Sequence, residues 1–354
     1  MNYKTNRVAI LQPLIPHYRA SFFQQLSQKR DVKIFRYAND DKSFNLAGVE
    51  TTPVSNLEKG PFLLYNPLTI LKGNFTHLVL MLHFGHITTW LLLLTKFVHR
   101  KKIILWGQGI SVKRYLKEEK KPDWKLKAML ALADGAWLYT EKEAAQWKDI
   151  FPHKKIVALN NTQNVQTQSK LNDEQIKKLK EKYNIKQERV LIFAARFENP
   201  YRRTDLLIEV IKKLDPDKFG FIIIGDGSLK PDFSMYENVY DFGKLYDEEI
   251  KRDLFGLSDI YFQPGWVGLS IVEAMAYSLP IFTFKRDETT LQCVEYSYVS
   301  DGINGFLLSN LSDCLGKIVN TSQDKLDEMG KKAQEFYKTK LTVEKMVENA
   351  ISIL

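Results

Sequence analysis

The stretch "RVLIFAARFENPYRRTDLLIEVIKKLDPDKFGFIIIGDG" (residues 189–227) decides the fold. It opens and closes on short aliphatic runs, 189–196 and 220–227, and between them apolar residues recur at helical spacing from about Thr204 onward. Strand, helix and strand in that order form a parallel crossover unit. The alternation continues downstream through "NVYDFG" (238–243), "DIYFQPG" (259–265), "PIFTF" (280–284) and "GFLL" (305–308). Upstream it runs through "RVAILQ" (7–12), "VKIFRY" (32–37), "HLVLML" (77–82), "KIILW" (102–106), "GAWLYT" (135–140) and "KIVALN" (155–160). The polar segment 160–188 separates the two series, beginning as a linker and ending as a charged surface helix. The expected class is therefore α/β, with two doubly wound, Rossmann-like parallel sheets facing a central cleft.

Composition bounds the function. The chain has 354 residues, 44% of them hydrophobic, which is enough for two cores. No N-terminal stretch has the parts of a signal peptide, since "MNYKTNRVAILQPL" runs straight into the first strand, so a cytoplasmic location is expected. Cys293 and Cys314 lack metal or redox spacing and read as packing residues. "HLVLMLHFGHITTWLLLLTKFVH" (77–99) is oily but interrupted by His83, Gly85, His86 and two threonines, which predicts a strand, a glycine turn and a buried helix rather than a membrane span. His83 and His86 follow that strand, as either site or packing residues.

The charge is unevenly divided. Residues 1–165 hold 25 Lys and Arg against 12 Asp and Glu, a net +13, and the remainder holds 26 against 30, a net −4. The densest basic stretch, "KRYLKEEKKPDWKLKAML" (113–130), mixes lysines with Trp124, Leu126, Met129 and Leu130, which suits an anionic membrane surface as well as it suits a solvated helix face. No zinc-finger, helix-turn-helix or ribonucleoprotein signature accompanies the charge, so nucleic acid is not an expected partner.

In doubly wound sheets ligands sit beyond the carboxyl ends of the strands. After the strand at 189 come Arg196, Arg202 and Arg203, whose guanidinium forks beside a helix amino end match a diphosphate. "GDG" (225–227) supplies a tight turn. Gly243, Leu245 and Tyr246 follow a further strand, where their backbone groups can edge a nucleobase. In "PGWVGLSIVEAMAYSLP" (264–280), Gly265 to Gly268 form a turn, the Leu269 and Ser270 amides start a helix, and Glu273 lies one turn further in. A carboxylate on that apolar helix needs polar partners, either ribose hydroxyls or a local Lys or Arg. "DPD" (215–217) sits at the opposite strand ends and reads as a turn, so no metal is expected. His17, Tyr18 and Arg19 follow the first strand and are candidates for acceptor or phosphate contacts.

The set "FAARFENPYRRTDLLIEVIKKL", "IIIGDGSL", "NVYDFGKLYDEEI" and "SDIYFQPGWVGLSIVEAMAYSLPIFTF" resembles, in order and spacing, the donor half of the retaining GT-B enzymes of glycosyltransferase family four. "ILQPLIPHYRASFFQQL" (10–26), "KKIILWGQG" (101–109) and "DGAWLYTEKEAAQW" (134–147) resemble the acceptor half of bacterial members that build surface polysaccharides. The resemblance implies domains at 1–165 and 166–335, with the last helix, 336–354, packing back on the first domain. It implies that Arg196 and Arg202 hold the donor diphosphate with the Leu269 and Ser270 amides, that Glu273 is the ribose-binding second Glu of an E-x7-E motif, and that Gly243, Leu245, Gly265 and Gly268 also line the donor site. Catalytic roles fall to Arg196, Arg202, Gln108 and His17, and acceptor contacts to His17, Tyr18, Arg19, Gln108 and Glu141. Two departures stand out: the first motif Glu is Gly265, and Gln108 stands where relatives tend to have histidine.

The function so implied is a retaining, metal-independent hexosyltransferase that moves a sugar from a nucleotide-diphosphate donor to a lipid-linked or polysaccharide acceptor, on the inner face of the plasma membrane. No cofactor is expected. The alternatives are an inactive relative serving as a binding subunit, to which Gly265 and Gln108 point, and a nucleotide-sugar epimerase of the same architecture.

Overall fold

The computed structural model describes residues 7–37, 48–167 and 170–354. Residues 1–6 of the N-terminal stretch and positions 168 and 169 of the linker lie outside the described residues.

The chain divides into two compact units, residues 1–164 with 340–354, and residues 165–339. The first contains β1 (Val8–Gln12), β2 (Val32–Arg36), β3 (Glu50–Pro53), β4 (Asn56–Lys59), β5 (Phe62–Tyr65), β6 (His77–Met81), β7 (Lys102–Gly107), β8 (Gly135–Leu138) and β9 (Lys155–Ala158). Seven of these form one sheet in the order β3-β2-β1-β6-β7-β8-β9, with every neighbouring pair parallel. The order reverses between β1 and β6, so crossover helices cover both faces, and the inner strands are apolar on both sides. Along β7, Ile103 and Leu105 join one buried cluster while Ile104 and Trp106 join the other. Helix Val343–Ile351 buries Val343, Met346, Val347 and Ala350 in the second of these clusters beside Phe22, Phe23 and Leu26 of helix Ala20–Lys29.

The second unit contains β10 (Arg189–Ala194), β11 (Phe219–Ile224), β12 (Val239–Asp241), β13 (Ile260–Phe262), β14 (Ile281–Phe284) and β15 (Gly305–Leu308). They form a parallel sheet in the order β12-β11-β10-β13-β14-β15, which reverses between β10 and β13. The crossover helix of the opening stretch is Thr204–Lys213. The linker ends in helix Asp173–Lys182, closed at its start by a reciprocal Asn172–Gln175 capping box and burying no residue. Cys293 and Cys314 are buried and unpaired, and burial pushes each thiol up to about 12. "DPD" is a turn: Asp215 Oδ1 accepts from the Asp217 amide at 3.0 Å just before β11.

Three features of the first unit depart from the sequence reading, the first being β3, which pairs with β2 at the sheet edge where no strand was expected. β4 and β5 form an antiparallel hairpin outside the sheet, in a stretch where no strand was expected. The segment after β6 is helical in two pieces, Ile87–Leu94 and Lys96–His99, and is not a buried helix: Thr88, Thr89, Leu92 and Leu93 point inward, while Ile87, Leu91, Leu94, Phe97 and Val98 are exposed. The apolar run is long enough to fill both faces of a helix, but the unit covers only one. Among the described residues, no helix is long and apolar enough to cross a membrane.

Candidate active site

The carboxyl ends of β10 and β13, neighbours at the reversal point of the second sheet, gather the polar groups of this unit. Arg202 lies half-buried on the short turn Pro200–Arg202 after β10. Its Nη1 donates to the Trp266 carbonyl, and its Nε is buried with no hydrogen-bond partner among the described residues. Burial lowers the guanidinium from its ordinary value, and the nearby Arg196 charge lowers it further. Arg196 is exposed, and among the described residues its guanidinium has no hydrogen-bond partner. Two guanidiniums close enough to repel, one of them half-satisfied, form a site that an anion would stabilise.

Arg203 is not part of this pair. Its backbone is left-handed at φ 54°, and its Nε and Nη2 are bound to Asp205 at 2.9 and 2.7 Å, with Nη1 on Thr290 Oγ1 at 2.7 Å. The Asp205 hydrogen bond holds the Arg203 guanidinium above its ordinary value.

The 264–270 turn is built on two buried glutamines. Gln263 Nε2 donates to the Gly265 and Trp266 carbonyls at 3.1 and 2.8 Å, and its Oε1 accepts from Tyr261 Oη at 2.7 Å and Ser270 Oγ at 3.0 Å. Gln292 Oε1 receives the Val267 amide at 2.9 Å. This scaffold holds Trp266 in the left-handed region at φ 50°, its ring stacked on Tyr201 at 5.2 Å. A Cβ on Gly265 would lie 2.4 Å from the Tyr201 carbonyl oxygen and 2.8 Å from Arg203 Cγ. Position 265 therefore has no room for the carboxylate that the motif carries there. Gly268 faces open space, and helix Ser270–Ala276 starts immediately after Leu269.

Glu273, one turn along, is nearly buried and paired with Lys251 Nζ at 2.9 Å, and Lys251 also meets Glu248 at 2.8 Å. Burial raises the Glu273 carboxyl above its ordinary value, against the lowering effect of Lys251. The ammonium, which burial alone would lower, is carried above its ordinary value by Glu273 and Glu248. Of the two partners the sequence left open for Glu273, the structure supplies the lysine. Tyr261, fully buried, feels both the Arg202 and the Glu273 charges, so the guanidinium and the carboxylate belong to one electrostatic neighbourhood.

The loop after β12 adds a third cation. Gly243 is left-handed at φ 57° with its amide on Asp241 Oδ1 at 2.9 Å, Leu245 is half-buried, and Tyr246 is exposed beneath Lys244, whose Nζ lies 5.2 Å from the ring centroid. The Lys244 charge interacts with Arg196. "GDG" serves the scaffold: a Cβ on Gly225 would meet the Ala195 carbonyl oxygen at 2.0 Å, and Asp226 O accepts the Phe197 amide at 2.9 Å, fixing the loop that carries Arg196.

In the first unit, His17 is exposed and Tyr18 half-buried on the turn His17–Arg19 after β1. Arg19 is buried: its Nη2 donates to Tyr139 Oη at 2.9 Å and Asn161 Oδ1 at 3.2 Å, and its guanidinium lies 4.5 Å over the Trp106 ring. It ties β1, β7 and β8 together. Gln108 is half-buried directly after β7. Glu141 is held by Lys340 at 3.0 Å and Asn160 at 3.2 Å. His83 and His86 pack against each other at 4.9 Å, and burial lowers His86 to about 4. Sequence reasoning missed Lys244, Lys251, Tyr201, Gln263 and Gln292. A signal existed for Gln263, a polar residue ending the apolar run "DIYF".

Residues 188–324 match the family model Glycosyl transferases group 1. That span runs from β10 into helix Gln323–Lys340 and contains every donor-side residue described above. A curated relative, the uncharacterized 41.2 kDa protein in the cps region of Klebsiella pneumoniae, is 32% identical over 160 residues. The match covers 44% of this chain and 42% of that protein, so the chain spans less than half the length of the curated relative it matches. Among solved structures, Anabaena HepE in complex with UDP is 13% identical with a TM-score of 0.66, covering 98% of both chains. The lipopolysaccharide outer core galactosyltransferase WaaB is 14% identical with a TM-score of 0.65, covering 98% of this chain and 100% of that one. These likenesses establish the fold, the pair of Rossmann-like α/β units found in GT-B glycosyltransferases.

Proposed function

We propose that the protein transfers a sugar from a nucleoside-diphosphate donor to a glycan or lipid-linked acceptor at a membrane surface. The observation that carries this reading is the Arg196–Arg202–Lys244 cluster at the strand carboxyl ends, within the segment matched by the group 1 glycosyltransferase model. The HepE structures hold UDP and UDP-glucose, which favours a nucleotide sugar as the ligand here.

In the reaction the anomeric C–O bond to the β-phosphate breaks, with its electron pair going to the phosphate oxygen, and a new C–O bond forms to the acceptor hydroxyl. With retention, the acceptor proton passes to the departing diphosphate oxygen on the same sugar face. Arg202 and Arg196 then act by stabilising the growing negative charge, assisted by the Leu269 and Ser270 amides, with the chain's own cations taking the place of a metal. The Lys251–Glu273 pair offers a carboxylate oxygen to the ribose hydroxyls, and His17, Tyr18 and Gln108 are assigned to the acceptor. Glu141 and Arg19 serve the fold.

One observation favours a second reading, a nucleotide-binding subunit without turnover: position 265 lacks the motif's carboxylate and cannot accommodate one. A thermal-shift panel of nucleoside diphosphates and nucleotide sugars, followed by transfer assays with supplied membranes, separates the two. A melting-temperature rise with transfer supports the enzyme, a rise without transfer supports the binding subunit, and no rise with any nucleotide defeats both.

A further inference from the structure

Three elements of the first unit turn apolar side chains outward. In the β4–β5 hairpin, Leu57 stands opposite Leu64 and Lys59 opposite Phe62, so these four share one face, and its three apolar members are exposed, while Leu63 and Tyr65 on the other face are buried. Along 87–98, Ile87, Leu91, Leu94 and Val98 recur at intervals of four, three and four residues, which aligns them as one helical stripe, beside Phe97 at 79% exposure. The inward side of this segment carries Thr88 and Thr89, bound to Tyr65 at 2.9 Å each. With Leu92 and Leu93 also buried, this helix is apolar on both sides, and its outward stripe lacks the polar residues that water imposes on a surface helix.

These elements are joined. The Leu63 amide donates to the Gly85 carbonyl at 2.9 Å, and helix Trp124–Leu132 packs beside helix Ile87–Leu94. Trp124 opens that helix at 72% exposure, and Lys125 Nζ lies 4.7 Å from the Phe84 ring centroid. Exposed cations adjoin these residues along the chain: Lys59 in the hairpin, Arg100 just after the stripe, and Lys117, Lys120, Lys121 and Lys127 on either side of Trp124.

We infer that this face, formed by the β4–β5 hairpin, residues 87–98 and Trp124, inserts into the boundary between headgroups and acyl chains of an anionic bilayer. Charge complementarity selects the occupant. A second copy of the chain would bring the same lysines against these, whereas an anionic leaflet pairs with them while its acyl chains take up the leucines. The inference rests on the reading of a membrane-held acceptor and locates the attachment in apolar insertion, beyond the basic stretch at 113–130.

The test uses the full chain and vesicles of phosphatidylcholine, with or without one-third phosphatidylglycerol. The wild type is expected to sediment with the anionic vesicles, and lipids brominated on the acyl chain are expected to quench its tryptophan fluorescence, the quenching falling sharply in Trp124→Phe. Leu91→Ser/Leu94→Ser/Phe97→Ser and, separately, Phe62→Ser/Leu64→Ser are expected to bind at least tenfold more weakly at unchanged melting temperature. Wild-type binding by both serine variants, or unquenched fluorescence in the bound protein, overturns the inference. So does a wild-type dimer by light scattering that the serine variants convert to monomer, because a second copy then covers the face. The melting-temperature shift with UDP is read on the same samples. Its presence without vesicle insertion sinks the docking surface alone, and insertion without any nucleotide shift sinks the transferase reading alone.

Discussion

Arg196 and Arg202 carry the same charge in different settings, and this separates their expected phenotypes. Arg196 is exposed and its guanidinium hydrogen-bonds no other described residue, so Arg196→Ala should weaken UDP binding about tenfold with no change in melting temperature. Arg202 is half-buried and holds the Trp266 carbonyl, so Arg202→Ala should reduce transfer by about 10²–10³-fold and lower the melting temperature as well. Calorimetry beside single-turnover assays reads both. Gly265→Glu, which writes the motif's missing acid back, should not gain activity. Its Cβ collides with the Tyr201 carbonyl and Arg203, and a loss of about 1–3 kcal/mol is expected in denaturant unfolding. For Lys251→Met, the buried Glu273 carboxylate is left without its cation. About 3–5 kcal/mol of destabilisation is expected, relieved when Glu273→Gln is added, as measured in a double-mutant cycle.

At the scale of elements, the junction between β6 and the helix that follows is a pH-sensitive point. His86 is buried against His83 and Tyr37 and held near 4, below its ordinary value of 6.5. The unfolded chain therefore binds a proton that the native junction refuses, and stability falls as pH drops from about 6.5 through about 4. The shift corresponds to about 3 kcal/mol at most. Melting temperatures across that window should fall more steeply for the wild type than for His86→Phe, and parallel curves would refute the assignment. Legibility at this scale follows burial. The inner strands β1, β6, β7, β10 and β11, apolar on both faces, are plain in the sequence because sheets covered on two sides need continuous aliphatic runs. In the β4–β5 hairpin only β5 alternates exposed and buried positions, β4 burying none, and with Leu and Phe on its outward face the hairpin presents no polar–apolar alternation to read.

For the molecule as a whole, the chain closes its first unit with its own C-terminal residues. Helix Val343–Ile351 places Met346 and Val347 in the core beside Phe22 and Phe23, and Thr162 Oγ1 donates to the Leu341 carbonyl. Met346→Ala should cost about 2–5 kcal/mol in denaturant unfolding, and removing residues 341–354 should leave the first unit unable to fold, visible as aggregation while the isolated second unit still melts cooperatively. The α/β class, the doubly wound order and the cationic strand ends all follow from local periodicity and turn chemistry, which act over tens of residues and are written in the one-letter string. Three things do not: that Arg19 is consumed by Tyr139 and Asn161, that Lys251 neutralises Glu273, and that leucines at 91 and 94 face outward. Each depends on which surface a neighbouring element covers, and that is decided by packing between segments far apart in the chain.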